Sequence, residues 1–167
     1  MLLNISDLLK SNESQNLEFK ETFSKETIET IAAFSNASGG TILIGVSDKG
    51  KITGINTNNE IIKDWVNSIK QMTQPQIFPE INSYEFGGRT IASIVVQEFP
   101  VKPVSCRGKY FKRIGSSNHQ IPLNEIVEMQ LYSLNSSFDS FVVAENLEQL
   151  DLLLIKNFFK HLSNAGR

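Results

Sequence analysis

Three acidic residues are spaced so that they could form a metal site. Glu13 and Glu18 lie five positions apart, and Asp48 follows the strand-like run 41–47. Side chains alternate along a strand, so the glutamates converge only if Glu13 lies in the loop before the strand. With Asp48 as a third acid, they would offer the oxygen ligands that Mg²⁺ or Mn²⁺ takes, and could support metal-assisted hydrolysis. The alternative is that all three are ordinary surface carboxylates.

A second candidate site is the basic segment 102–119, which has no acidic residue anywhere between Glu98 and Glu125. Because the net charge of the chain is −2, this local concentration of cations predicts contact with nucleic acid. Lysine and arginine would contact phosphates, and an aromatic side chain would stack on a base. The predicted contact residues are Lys102, Arg107, Lys109, Tyr110, Lys112, Arg113, Ser116 and Asn118. The alternative is a solvated basic edge strand that resists aggregation.

Gly39 and Gly40 could belong to a phosphate-binding loop or could end a helix. They follow a predicted helix and precede a predicted strand, so no helix N-terminus is directed at a phosphate. No Gly-Lys-Ser/Thr sequence follows them, as a phosphate loop would require. Glycine adopts a positive φ at a helix end without a Cβ penalty, so the pair is predicted to end the helix. Gly45, inside the next strand, indicates the close approach of another backbone or of a ligand.

The elements that must position these residues alternate between helices and strands. The predicted helices are 1–10, 24–38, 61–72 and 122–132, and the predicted strands are 17–22, 41–47, 51–55, 81–86, 90–97 and 108–114. Two hairpins are expected, one through Asp48-Lys49-Gly50 and one through Gly87-Gly88-Arg89. The pattern predicts an α+β fold, with a mixed sheet of hairpins and helices packed on it.

Bulk properties limit the class of protein. A chain of 167 residues with 40% hydrophobic content can bury one sizeable core. The single Cys106 excludes an intramolecular disulfide and suits a reducing compartment. No signal-peptide pattern and no membrane-spanning apolar run occur, so a cytoplasmic protein without a membrane partner is expected.

The composition of the sequence changes after residue 134. We expect one domain over residues 1–134, then a linker and a terminal helix over 135–167 that lead to a further C-terminal portion. The apolar helical run 150–162 would expose a large patch in water, so it is expected to dock on its own domain, on a second chain or on that further portion.

Three motifs together resemble the Schlafen Alba-like domain family, also called the divergent AAA-4 domain. They are ESQNLEFK at 13–20, AFSNASGGTILIGVSDKGKITGI at 33–55 and YFKRIGSSN at 110–118. The resemblance implies an Alba-like α+β fold that binds DNA or RNA and commonly pairs as a homodimer. In bacteria it implies the N-terminal part of a transcriptional regulator related to the helicase RecG.

The same resemblance implies a possible activity. Some animal members cleave RNA with two glutamates and an aspartate, which Glu13, Glu18 and Asp48 match as catalytic residues and as ligands of Mg or Mn. Those enzymes contain two copies of the domain, so cleavage here would require two chains to pair. The AAA label also suggests ATP, although the chain has no phosphate loop. Three hypotheses follow: a nucleic-acid-binding module of a bacterial transcriptional regulator, a metal-dependent endoribonuclease, and a dimerisation or interaction domain.

Overall fold

The computed structural model describes the backbone of residues 5–140 and the side chains of residues 5–134. Residues Met1–Asn135 form one compact unit and Ser136–Arg167 form a second. The helices are α1 (Ile5–Leu8), α2 (Lys25–Asn36), α3 (Asn59–Met72) and α4 (Leu123–Ser140). The strands are β1 (Leu17–Lys20), β2 (Gly40–Ile44), β3 (Thr73–Gln74), β4 (Glu80–Phe86), β5 (Arg89–Val96), β6 (Ser105–Cys106), β7 (Lys109–Ile114) and β8 (Ser117–Gln120). The predicted helix 150–162 lies outside the described residues.

The strands form two four-stranded sheets. The first has the order β1-β2-β5-β4, with β1 parallel to β2 and the other pairs antiparallel. The second has the order β3-β6-β7-β8 and is antiparallel throughout. The predicted α+β class is confirmed, and the strands are divided between two sheets.

The hairpin predicted through Asp48-Lys49-Gly50 is not formed as two paired strands. A strand has two hydrogen-bonding edges, and β2 uses one for β1 and the other for β5. The segment 51–55 therefore makes only an isolated bridge, between Val46 and Ile52. By contrast, β4 and β5 form the predicted hairpin, and its turn residues Gly87 and Gly88 both have positive φ.

Apolar side chains cover both faces of the first sheet. On one face, α2 contributes Ile28, Ile31 and Phe34 to a core that includes Ile42 and Ile94. The other face carries a smaller cluster of Ile5, Leu17, Phe19, Leu43, Val46 and Ile91. Burial on both faces explains why β2 is a continuous apolar run and does not alternate.

The end of α2 confirms the predicted role of the Gly39-Gly40 pair. Gly39 has a φ of +75°, and its N–H donates to the carbonyl oxygen of Phe34 at 2.9 Å. This bond satisfies a helix carbonyl that would otherwise lack a donor. Gly45 also has a positive φ, and the backbone of Gly54 lies close to it, so the predicted close approach is made by the protein itself.

Helix α4 is longer than the predicted helix 122–132. It continues through Ser140, so residues 135–140 are helical where a linker is expected. None of the helices in the described range is long and apolar enough to cross a membrane.

Candidate nucleic-acid interface

Arg113, near the end of β7, points into the protein. Its side chain is 1% exposed, and its guanidinium lies 5.1 Å from the centre of the Phe34 ring on α2. It forms an ion pair with Glu18 and donates to the carbonyl oxygen of Ser14 at 3.1 Å. A buried charge is tolerated when it is paired and hydrogen-bonded, and Arg113 meets both conditions.

Glu18 on β1 is the partner of two cations. One carboxylate oxygen accepts from Arg113, and the other accepts from the Lys20 ammonium at 2.5 Å. The Glu18 side chain is 7% exposed. Both oxygens are therefore committed to protein donors and are not presented to solvent.

Side-chain amides extend this pair into a larger network. Gln15 donates to the Arg113 carbonyl and accepts from the Gly115 N–H, both at 2.8 Å. Asn118 accepts from Arg113 at 3.0 Å and donates to the Thr30 hydroxyl at 2.8 Å. We call Ser14, Gln15, Glu18, Arg113 and Asn118 the Glu18–Arg113 cluster. It joins the loop before β1 to the β7–β8 hairpin, so the sequence motifs at 13–20 and 110–118 meet in space.

The remaining two predicted metal ligands make other contacts. Glu13 is in the loop before β1, as expected, but one of its oxygens accepts from the Phe19 N–H at 2.9 Å. Asp48 lines a surface pocket of about 330 Å³ with Glu21, Ser47 and Lys49. Within the described part of the chain, no group of three or more His, Cys, Asp or Glu side chains could hold a metal ion. The expected convergence of the three carboxylates is therefore not found, and the donors do not fit Mg²⁺ or Mn²⁺.

Four of the predicted phosphate contacts already have partners within the domain. Arg113 and Asn118 face inward in the cluster. Lys102 pairs with Glu98 at 2.5 Å, and Lys112 pairs with Glu125 at 2.6 Å. Alternation along β7 places Arg113 on the same side as the aromatic residue that packs on the core, Phe111, and this pattern could have indicated its burial.

The residues that stay accessible lie at the two turns of the β6–β7–β8 region. Arg107 and Lys109 flank Gly108 in the turn between β6 and β7, and both are exposed. Neither forms a salt bridge with any residue in the range that the structure covers. Ser116 is exposed in the next turn, and Tyr110 is half-buried beside Lys109. Ser116 lies at the opposite end of β7 from Arg107 and Lys109. We therefore call Arg107 and Lys109 alone the hairpin-turn surface.

Sequence reasoning missed Asn36, which holds the second sheet against α2. Its side chain donates to the carbonyl oxygens of Val104 and Phe111, both at 2.8 Å, and accepts from the Val104 N–H at 2.6 Å. It is buried at the end of α2. A polar amide in the last turn of a helix with an apolar stripe is the available signal, because a buried amide requires partners.

Cys106 does not supply a nucleophile. It is buried on β6, and burial, with Glu29 nearby, raises the pKa of its thiol to about 11. The neighbouring Arg107 lowers the pKa by less. The thiol is therefore protonated at neutral pH, and a protonated thiol is unreactive.

Several known proteins are similar to this chain. A protein of Ureaplasma parvum serovar 3, named as an uncharacterized ATP-binding protein, is 38% identical over 102 residues, which cover 54% of this chain and 29% of the relative. The N-terminal domain of a RecG-related protein from Nitrosomonas europaea matches with a TM-score of 0.52 and 26% identity, over 73% of this chain and 95% of that domain. A protein of Corynebacterium diphtheriae shares the fold, with a TM-score of 0.58 and 18% identity, over 75% of this chain and 27% of that one.

The match to a family model covers the region that contains the cluster and the hairpin-turn surface. The Schlafen, AlbA_2 model matches residues 13–122, about two thirds of the chain. This range begins at Glu13 and ends just before α4. The chain belongs to the Schlafen, AlbA_2 family.

Proposed function

We propose that this chain is a nucleic-acid-binding module whose contact region is the hairpin-turn surface. The observation that carries the proposal is the pair of exposed cations, Arg107 and Lys109, at one tight turn in an otherwise acidic chain. Family membership and the RecG-related neighbour support a module related to nucleic acids.

The backbone of the turn is anchored to the rest of the domain. The Arg107 N–H donates to the Met72 carbonyl oxygen at 2.8 Å, at the junction of α3 and β3. The Glu18–Arg113 cluster holds the other end of β7. Because the backbone of this turn is already anchored, a phosphate contact there costs mainly the conformational entropy of the side chains, so two such residues support weak, general binding.

The finer assignments are proposals of the same kind. We propose that the module belongs to a bacterial transcriptional regulator and works as a homodimer. The name of the Ureaplasma relative refers to ATP binding. In this chain Gly39-Gly40 leads into strand β2, so no helix N-terminus is placed there to hold a phosphate. ATP is therefore not part of the proposal.

The test is fluorescence anisotropy on the full chain with three labelled 20-nucleotide probes: single-stranded DNA, its duplex, and single-stranded RNA. Each is titrated across a salt series. Arg107→Ala and Lys109→Ala are each expected to weaken binding and to reduce the salt slope by about 0.7 to 0.9 per lost phosphate contact. Lys63→Ala is the matched control, because Lys63 is an exposed cation on α3, away from the turn.

Two results would contradict the proposal. Wild-type chain that binds none of the three probes at low salt would remove nucleic-acid binding itself. Binding that Lys63→Ala weakens as much as Lys109→Ala does would show that the contact is not localised at the turn.

A further inference from the structure

The two sides of α4 have different environments. On the side that faces the domain, Glu125 accepts from Lys112, and the Ser133 hydroxyl accepts from the Lys102 N–H at 2.9 Å. Met129 is half-buried on the same side. On the other side, Val127 is 51% exposed and Leu131 is 56% exposed. The helix thus presents large apolar side chains on the surface that its own domain does not cover.

The spacing of the exposed apolar residues is that of a coiled-coil seam. Val127, Leu131 and Leu134 are four and three positions apart. This spacing repeats every 3.5 residues on average, which keeps one narrow stripe facing a partner helix. A helix that packs on a globular core usually has a wider apolar stripe.

One polar residue falls in the same register. Asn124 lies three positions before Val127, where the alternation requires the preceding seam residue, and it is exposed. A single asparagine at such a position favours pairing with an identical asparagine, and so specifies both the register and the number of chains. The residues beside the stripe include one charged group, Glu128, next to Leu123, Gln130 and Asn135. Two copies in parallel would therefore not oppose like charges.

We propose that α4 is the homodimer surface and that it pairs in parallel with α4 of a second copy of this chain. A stripe that is complementary to itself suits a two-fold interface, in which each residue meets its own counterpart. The seam from Asn124 to Leu134 spans fewer than two heptads, so the dimer is expected to be weak, with dissociation in the micromolar range or above. The inference names the interface of the proposed homodimer and does not rest on nucleic-acid binding.

Sedimentation velocity on the full chain, from micromolar concentrations upwards, is the first test. Wild type is expected to shift from monomer to dimer with rising concentration, and Leu131→Glu is expected to stay monomeric. Tyr132→Glu is the matched control, because Tyr132 is 76% exposed on the same helix but lies off the seam. It should dimerise like wild type.

Two outcomes would overturn the proposal. If Leu131→Glu dimerises as well as wild type, the copies meet elsewhere. If wild type is monomeric at every concentration while Leu131→Glu lowers its melting temperature, the stripe is covered within one chain.

A disulfide tests the parallel orientation independently. Val127→Cys should form a covalent dimer under mild oxidation, because a parallel seam places equivalent residues opposite each other. The native Cys106 is buried and should not contribute. Adding Leu131→Glu should suppress the covalent dimer, and a covalent dimer that persists in this double variant, or that never forms, would overturn the parallel pairing. Monomeric Leu131→Glu should still bind the anisotropy probes, which separates failure of the dimer from failure of binding.

Discussion

At the scale of single residues, Arg113 shows how burial determines a role. It belongs to the most basic stretch of the chain, yet its charge neutralises Glu18 and its guanidinium covers the ring of Phe34. A phosphate could reach it only by displacing that ion pair. The family motif residues Glu18 and Arg113 therefore act together as a structural connection between β1 and β7.

The free energy of unfolding should report this connection. Removing one partner of a buried pair leaves the other charge uncompensated, so Arg113→Met and Glu18→Gln are each expected to lower stability, with a loss of about 3 to 5 kcal/mol for Arg113→Met. The double variant should lose less than the sum of the two single losses. Urea denaturation measures all three, and Lys109→Met, at an exposed position, should stay within about 0.5 kcal/mol of wild type. A strictly additive double variant would show that the pair is not coupled.

The buried thiol of Cys106 is expected to make the free energy of unfolding depend on pH. Burial raises the pKa of its thiol from the ordinary value of 9.0 to about 11 in the folded chain. Between these two values the unfolded state gives up the thiol proton and the folded state keeps it, so stability falls as pH rises through this window. The fall should be smaller in Cys106→Ala, which has no thiol to ionise. Denaturation at several pH values from 8 to 11 checks this, and equal slopes for the two proteins would contradict it.

At the scale of elements, the fold depends on how α2 ends and β2 begins. Gly39 ends the helix, and the chain enters β2 at once, in the middle of the first sheet. A Cβ on Gly39 would lie 2.6 Å from the Val96 carbonyl oxygen of β5, which is a backbone atom and cannot rotate away. This position thus needs glycine both for its φ and for its space.

Gly39→Ala is therefore expected to destabilise the protein by more than conformational strain alone. Gly108→Ala separates the two causes, because Gly108 also has a positive φ but no atom lies within 4 Å of a Cβ built there. Strain alone costs about 1 kcal/mol, and Gly39→Ala should cost at least about 2 kcal/mol more because of the clash. Thermal denaturation of both variants measures the difference. Equal losses would mean that β5 moves aside at little cost.

At the scale of the whole molecule, the metal-dependent hypothesis and the binding hypothesis make different demands. The predicted metal site needs its three carboxylates at one point, whereas Glu18 is held by two cations and Asp48 lines a surface pocket. Binding at the hairpin-turn surface requires only that the turn between β6 and β7 be exposed to solvent.

Adding Mn²⁺ distinguishes the metal-dependent hypothesis from the binding hypothesis, because any ion that binds the folded state raises the melting temperature of the protein. We expect millimolar Mn²⁺ to leave the melting temperature of the full chain unchanged, and EDTA to have no effect. Structured RNA incubated under the same conditions should remain intact. A Mn²⁺-dependent rise that Asp48→Asn abolishes would restore the three-carboxylate site, and this substitution avoids the buried pair.

Much of the fold could be predicted because its signals are local. The stripe of α2, its end at Gly39, and the turn of β4 and β5 at Gly87-Gly88 depend on residues within a few positions of each other. Helical spacing, glycine conformation and strand alternation act at that range. The α+β class and the position of Glu13 in a loop follow from the same signals.

Only the tertiary structure decided which charges face water. Glu18 and Arg113 are 95 positions apart in the chain, and their pairing requires β1, α2 and β7 to be assembled first. From composition alone, every cation of segment 102–119 was expected to be available to a phosphate. In the folded chain Arg113 is buried, whereas Arg107 and Lys109 are exposed at a turn. The sequence by itself determined most of the helices, the longer strands and the local charge, because these depend on neighbouring residues. The exposure of each charge depends on long-range contacts, of which the alternation of Phe111 and Arg113 along β7 is only a partial signal.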